Sequence, residues 1–244
     1  MAEDRPEAFV LVTEGRVFVD GQKAVSPAQP VKESARIEVR AERRYVGRGG
    51  EKLEAAIRAF AVDVADKVAA DVGAAIGGFT QVLLKHGVRK VYAIDVGRGK
   101  LDLKLREDPG VVIMEGVDVR ALGKILLKSD FNRRLASPAL PEQVDIVTID
   151  VSFISLRQVL PIIRRWLAEE SKVIALFKPQ YEVGDKSLLK HGILRDEKVR
   201  DNLVEEFHSW LNENGWQELG FMESPIRGAE GNVEYFFYLK PGTL

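Results

Sequence analysis

From Val68 onward, short apolar runs alternate with stretches whose apolar residues recur every three or four positions. The runs Val68 to Val72, Val91 to Asp95, Val111 to Glu115, Val144 to Ile149 and Val173 to Phe177 predict the strands of a parallel sheet. The segments between them predict helices over Gly77 to His86, Leu101 to Glu107 and Ser155 to Leu167, with a weak one over Leu122 to Leu127. A longer helix, Asp196 to Asn214, opens on an Asp cap and stops at Gly215. Two final strand-like runs, Glu218 to Met222 and Val233 to Leu239, are separated by Pro225 to Asn232. This alternation predicts a doubly wound α/β domain, a mostly parallel sheet covered by helices and closed by a C-terminal antiparallel hairpin.

The first part of the chain has a different rhythm. Val17 to Val19 and Gln22 to Val25 flank Asp20-Gly21, a pair suited to a hairpin turn in which both central residues take positive φ. Ile37 to Val39 adds a third short strand, and Glu7 to Glu14 reads as the tail of a helix, so the module looks shortened at its N-terminal side. Arg36 to Arg48 is rich in arginine and runs into Gly47-Arg48-Gly49-Gly50, which predicts a basic, flexible hinge. A helix follows over Glu51 to Phe60, with Leu53, Ile57 and Phe60 on its apolar face and Lys52 off it. The expected organisation is a partial small module over 1–42, a basic linker and entry helix over 43–60, and the α/β domain over 61–244.

Composition narrows the function classes. Lys and Arg number 36 against 37 Asp and Glu, a formal charge of −1, so nucleic acid would have to be bound by a local patch. The chain has no cysteine, which excludes disulfides, Cys-ligated zinc and a thiol nucleophile. No apolar run approaches the roughly 18 residues of a membrane span, and the charged start does not resemble a signal peptide. These features lead us to expect a cytoplasmic protein with no metal and no membrane partner; they say nothing about oligomeric state.

The candidate chemistry lies where the strands end. Asp71-Val72-Gly73-Ala74-Ala75-Ile76-Gly77-Gly78-Phe79 occupies the first strand-to-helix turn, where glycines admit a ligand close to the backbone. Its Gly-x3-Gly-Gly spacing is not the Gly-x-Gly-x2-Gly of dinucleotide domains, which argues against an NAD-dependent oxidoreductase. Asp95-Val96 ends the second strand and Asp118-Val119 follows the third. Taken singly, each acid fits a helix cap or a solvated turn; together, at successive strand ends, they suit the ribose and adenine of an adenosine-bearing cofactor. S-adenosyl-L-methionine fits better than NAD. Asp150 and Lys178 end the fourth and fifth strands on the same edge, and Glu234 interrupts an apolar terminal run. A desolvated Lys178 would have the lowered pKa of a general base, although a strand-end lysine reaching to solvent reads the same way.

Five motifs together resemble one family. They are Arg44-Tyr45-Val46-Gly47-Arg48-Gly49-Gly50-Glu51-Lys52-Leu53, the Gly73 to Phe79 turn, Thr148 to Leu156, Phe177-Lys178-Pro179-Gln180 and Gly231-Asn232-Val233-Glu234. In order, and over nearly all of Arg16 to Leu239, they resemble the TlyA-type proteins, often labelled haemolysins and related to RrmJ-like ribosomal RNA 2′-O-methyltransferases. The resemblance implies a Rossmann-like S-adenosylmethionine-dependent methyltransferase fold behind a small RNA-binding module. It implies a Lys-Asp-Lys-Glu catalytic set at Lys52, Asp150, Lys178 and Glu234. It further implies cofactor binding at Asp71, Gly73, Ala74, Gly77, Gly78, Phe79, Asp95, Val96, Asp118 and Val119. Arg43, Arg44 and Arg48 are expected to carry RNA phosphates, the partner being ribosomal RNA or a ribosomal subunit. The segment Pro179 to Arg195, read as a long loop bearing Tyr181, Lys186, Lys190 and His191, is expected to cover a flipped-out nucleotide. Where the family carries Ser-Thr, this chain has Ala75-Ile76. The alternative reading is an RNA- or ribosome-binding protein of the same fold with weak or no turnover, and a membrane-active haemolysin is disfavoured because no segment is both strongly basic and apolar-faced.

Overall fold

The computed structural model describes residues 2, 4–13, 15–40, 44–124 and 140–242. These form two compact units that divide between Arg44 and Tyr45. The helix expected as part of a linker therefore belongs to the larger unit.

The smaller unit holds helix α1 (Arg5–Thr13) and a three-stranded antiparallel sheet, β1 (Val17–Val19), β2 (Gln22–Lys23) and β3 (Ile37–Val39), in the order β2-β1-β3. Asp20 and Gly21 sit at φ 50° and 81°, the two positive values of a type I′ turn. Leu11, Val17 and Ala24 make a small core, and the Arg40 guanidinium lies 3.6 Å from the Phe18 ring centre.

The larger unit starts with α2 (Arg48–Ala59) and alternates through β4 (Val68–Val72), α3 (Gly78–Lys85), β5 (Lys90–Asp95), α4 (Leu103–Arg106), β6 (Val111–Glu115) and α5 (Val119–Lys124). It continues through β7 (Val144–Ile149), α6 (Leu156–Ile163), β8 (Leu167–Phe177), α7 (Pro179–Glu182), the short pair β9 (Leu189–Lys190) and β10 (Ile193–Leu194), α8 (Glu197–Glu213), β11 (Trp216–Glu223) and β12 (Tyr235–Pro241). The main sheet runs β11-β12-β8-β7-β4-β5-β6. Strands β4 to β8 are parallel, and β12 lies antiparallel between β8 and β11. The order reverses at β4, whose neighbours are β5 and β7. The carboxyl ends of β4 and β7 thus flank the crevice where doubly wound sheets bind ligands.

Each face of the sheet has its own core. On one, Leu53, Ala56 and Ile57 of α2 and Phe79, Val82 and Leu83 of α3 pack on Ile146, Ile174 and Phe236. On the other, α6 and α8 cover Val147, Val173 and Phe177, with Phe177, Phe207 and Phe237 in mutual ring contact at 4.6–5.6 Å.

Several sequence expectations are corrected. Gly47 to Gly50 is not a hinge but a close-packed helix start. A Cβ on Gly50 would lie 2.3 Å from Tyr45 Cγ, and one on Gly78 2.8 Å from the Gly50 nitrogen, so glycines let the first turns of α2 and α3 meet backbone to backbone. The helix expected over Ser155 to Leu167 ends at Ile163; a 3-10 turn over Arg164–Trp166 follows, and β8 begins at Leu167. The weak helix is α5, beginning earlier at Val119, and its expected end at Leu127 lies outside the described residues. Pro179 to Arg195 is not a long loop: it forms α7, a 3-10 turn and the β9-β10 hairpin, turned by His191 and Gly192 at φ 51° and 78°.

Candidate active site

The turn leaving β4 is shaped by what a side chain would strike. Gly73 has φ +89°, and a Cβ there would lie 2.3 Å from the Asp150 carbonyl oxygen. The ends of β4 and β7 therefore touch through the glycine. Gly77, at φ +98°, would meet Leu105 at 2.2 Å. The amides of Gly73 and Ala74 donate to the Ile94 carbonyl, and Asp95 ties the turn to its neighbour, accepting from Ala75 N at 2.9 Å and Gly97 N at 2.6 Å. Two carboxylate oxygens offer about four acceptor sites, so Asp95 keeps capacity for ribose hydroxyls. Val96 is 73% exposed beside it.

One residue of this crevice was missed from sequence. Glu115, at the end of β6, accepts from the amides of Gly99, Lys100 and Leu101 and pairs with Arg106. The amide bond from Gly99, followed by the Arg106 hydrogen bond, holds its pKa at about 2, so it remains an anionic clamp on the 97–101 loop. A strand-end acid facing a Gly-x-Gly turn was the available signal.

Other expected cofactor residues are interior. Phe79 packs in the α2-α3 core against Phe236, Val119 lies in the opposite core, and Gly78 faces Gly50. Asp71 is fully buried, its oxygens taken by the hydroxyls of Thr80 at 2.6 Å and Thr148 at 3.1 Å. These residues shape the crevice from beneath rather than line it. Asp118 is half-buried and bound by the Arg120 guanidinium at 2.7 Å.

The four charged residues meet. Lys52, Asp150, Lys178 and Glu234 line one cavity of about 230 Å³ together with Arg48, Ser152, Gln180, Tyr181 and Asn232. Lys52 Nζ lies 2.5 Å from Glu234 Oε2, and Lys178 Nζ lies 2.6 Å from Asp150 Oδ1. Lys52, expected off the apolar face of its helix, is buried, because the α2 surface beside its stripe faces this cavity. The expectation of a lowered Lys178 pKa is overturned. Burial alone would pull it down, but the Asp150 charge and hydrogen bond, with Glu234 beyond, carry it above the ordinary lysine value.

The cavity mouth is aromatic. Phe153 stands 88% exposed at φ 65°, its ring 5.1 Å from that of Tyr181. A non-glycine residue in the left-handed region is uncommon, and here it holds an apolar ring in water. Glu182 fastens this rim by accepting from Ser155 Oγ at 2.5 Å and Leu156 N at 2.7 Å. Burial is what pushes its pKa up. Phe153 was missed because its run reads as ordinary core. Arg48 stands at the cavity edge and donates to the Arg227 carbonyl. Arg44 belongs to the smaller unit, and Arg43 lies outside the described residues.

A seven-stranded sheet with β12 inserted antiparallel, a glycine turn at its switch point and a lysine-carboxylate cavity beside it together define a methyltransferase. The model of the FtsJ-like methyltransferase family matches residues 45–241. The chain belongs to this family. It is 39% identical to Hemolysin A of Brachyspira hyodysenteriae, over 96% of this chain and 92% of that protein. It is 38% identical to the 16S/23S rRNA (cytidine-2′-O)-methyltransferase TlyA of Mycobacterium tuberculosis, over 100% of this chain and 87% of that protein. Among solved structures, a hemolysin-designated protein from Streptococcus thermophilus superposes with a TM-score of 0.74 at 33% identity, covering 99% of this chain and 84% of that one. No described helix is long and apolar enough to cross a membrane.

Proposed function

We propose that the protein methylates a ribose 2′-hydroxyl of ribosomal RNA, using S-adenosylmethionine and the set Lys52, Asp150, Lys178 and Glu234. The observation that carries this reading is the convergence of those four side chains on one cavity beside the Gly73 turn. The cofactor supplies an electrophilic methyl group on a sulfonium. The tight turn through Gly73, Ala74 and Gly77 would hold it at the end of β4, Asp95 would accept its ribose hydroxyls, and Val96 and Asp118 would flank its adenine.

The chain's own residues then handle the hydroxyl. Lys178, held as an ammonium by Asp150, donates to one lone pair and aims the other along the line of attack. With the methyl group supplied by the bound cofactor, the Asp150 carboxylate would take the proton that the hydroxyl gives up. Lys52 and Glu234 hold this pair in register and keep the cavity near neutral. Phe153 and Tyr181 would stack the extruded base, while Arg43, Arg44 and Arg48 would carry phosphates, with the smaller unit as an RNA-binding module. By likeness to the Mycobacterium tuberculosis relative, the target would be a cytidine and the setting the ribosome-bearing cytoplasm.

The test is transfer of labelled methyl to unmodified ribosomal RNA, free and in subunits, with the product scored by resistance of the adjoining bond to alkali. Lys178→Ala should reduce transfer by roughly 10²-fold or more, the scale of a lost orienting contact on the nucleophile, with cofactor affinity and Tm retained. A wild-type chain that binds RNA without transferring methyl would favour the non-catalytic reading.

A further inference from the structure

One group in the cavity wall is left over by the mechanism. Gln180 is buried, in the first turn of α7 two residues beyond Lys178, and lines the cavity with Lys52 and Glu234. Its side-chain oxygen is sealed from solvent and has no hydrogen-bond partner among the described residues. An acceptor stranded in this way is costly to keep, and an orphan in a site wall points to a group that arrives with the ligand.

The neighbouring polar groups are already committed. Lys52 pairs with Glu234 and Lys178 with Asp150, and the Ser152 hydroxyl accepts from Lys178 at 3.4 Å. Asn232 accepts from Leu194 N at 2.9 Å and donates to the Gly192 carbonyl at 3.0 Å. Gln180 thus supplies an uncharged amide with unused acceptor capacity. A phosphate is not its natural partner, because phosphate oxygens only accept. The edge of a base is, since amides pair with base edges through matched donors and acceptors.

We infer that Gln180 reads the base of the target nucleotide by accepting a hydrogen bond from an exocyclic amino group. This rests on the proposed RNA methylation. At the same edge position cytosine presents an amino donor and uracil a carbonyl acceptor, so the orphan oxygen favours an aminopyrimidine. The Phe153 and Tyr181 rings give stacking that any base satisfies; Gln180 adds the discrimination that stacking lacks.

The experiment first maps the nucleotide methylated by the wild-type enzyme, then compares kcat/KM on ribosomal RNA carrying cytidine or uridine there, both as transcript and in assembled subunits. The wild type should prefer cytidine by about 5- to 150-fold, the range of one good base-edge pairing. Gln180→Met, similar in length but without the amide, should bring the ratio close to one. Gln180→Glu, which can only accept when ionised, should keep or widen it. Because the ratio is taken within each variant, changes in catalytic power cancel. A uridine target, an unchanged ratio in the Met variant, or a ratio falling to one in the Glu variant overturns the inference. If the Met variant does not fold, the Glu variant decides alone. A wild-type enzyme that methylates RNA while any of these results holds sinks only the role of Gln180; absence of all RNA methylation sinks the function beneath it.

Discussion

Asp71 holds a carboxyl group with no solvent contact, two hydroxyl donors and the charge of Asp150 nearby. Burial dominates and raises its pKa from 3.8 to about 7. The folded state therefore holds a proton that the unfolded state releases near pH 4. Stability from this group is fully present below about pH 4 and is lost as pH rises through about 7, by an amount on the order of 4 kcal/mol at most. Asn at this position cannot ionise. In urea titrations, Asp71→Asn should gain stability relative to wild type between pH 4 and pH 7.5, and a difference flat across that range would show that the hydroxyls of Thr80 and Thr148 already offset the burial. The same residue explains a limit of sequence reading. Its place in an Asp-Val-Gly turn suggested ligand contact, yet a residue at the fourth position of a strand buried along its whole length points into the domain.

Helices α2 and α3 meet where neither has side chains. The Gly78 position faces backbone atoms of Gly47, Gly49 and Gly50, which cannot swing aside. Gly78→Ala should lower stability by about 1–3 kcal/mol, the usual cost of overpacking, despite the better helix propensity of alanine. Its effect on methyl transfer should exceed that, because Lys52 rides on the displaced turn. Gly184→Ala, with open space around it, is the control and should leave Tm within about 1 °C. A Gly78→Ala enzyme with unaltered Tm and rate would mean that the helices separate freely. Elements of this kind were unevenly legible. Strands β4, β6 and β7 match their apolar runs to the residue because each run is bounded by polar or glycine positions. The start of α2 was not legible, since Gly-Arg-Gly-Gly is a poor helix sequence and only the partner helix makes it one. Likewise Asp150, Lys178 and Glu234 stood out as charges ending or interrupting apolar runs, whereas the burial of Lys52 depends on a cavity that no local pattern encodes.

On the scale of the molecule, the cavity pairs Lys52 and Lys178 with Glu234 and Asp150, with Arg48 and Glu230 also in its lining, whereas phosphate contact is proposed for Arg43, Arg44 and Arg48. Docking and chemistry should then respond differently to salt. Replacing Arg43, Arg44 and Arg48 together with alanine should weaken RNA binding and reduce the slope of log Kd against log salt by up to about 3, near 0.9 per lost phosphate contact, with kcat at saturation reduced much less. An unchanged slope would place the RNA path elsewhere. Strand order has a consequence of another kind. During synthesis β12 is the last strand of the sheet to emerge, yet its slot lies between β8 and β11. Until it arrives, β11 has no neighbour to pair with, and Lys52 has no Glu234 to meet. A nascent chain can thus assemble its glycine turn and the Asp150–Lys178 pair while the cavity is still open on one side, so competence for methyl transfer waits on the strand that fills the last gap in the sheet.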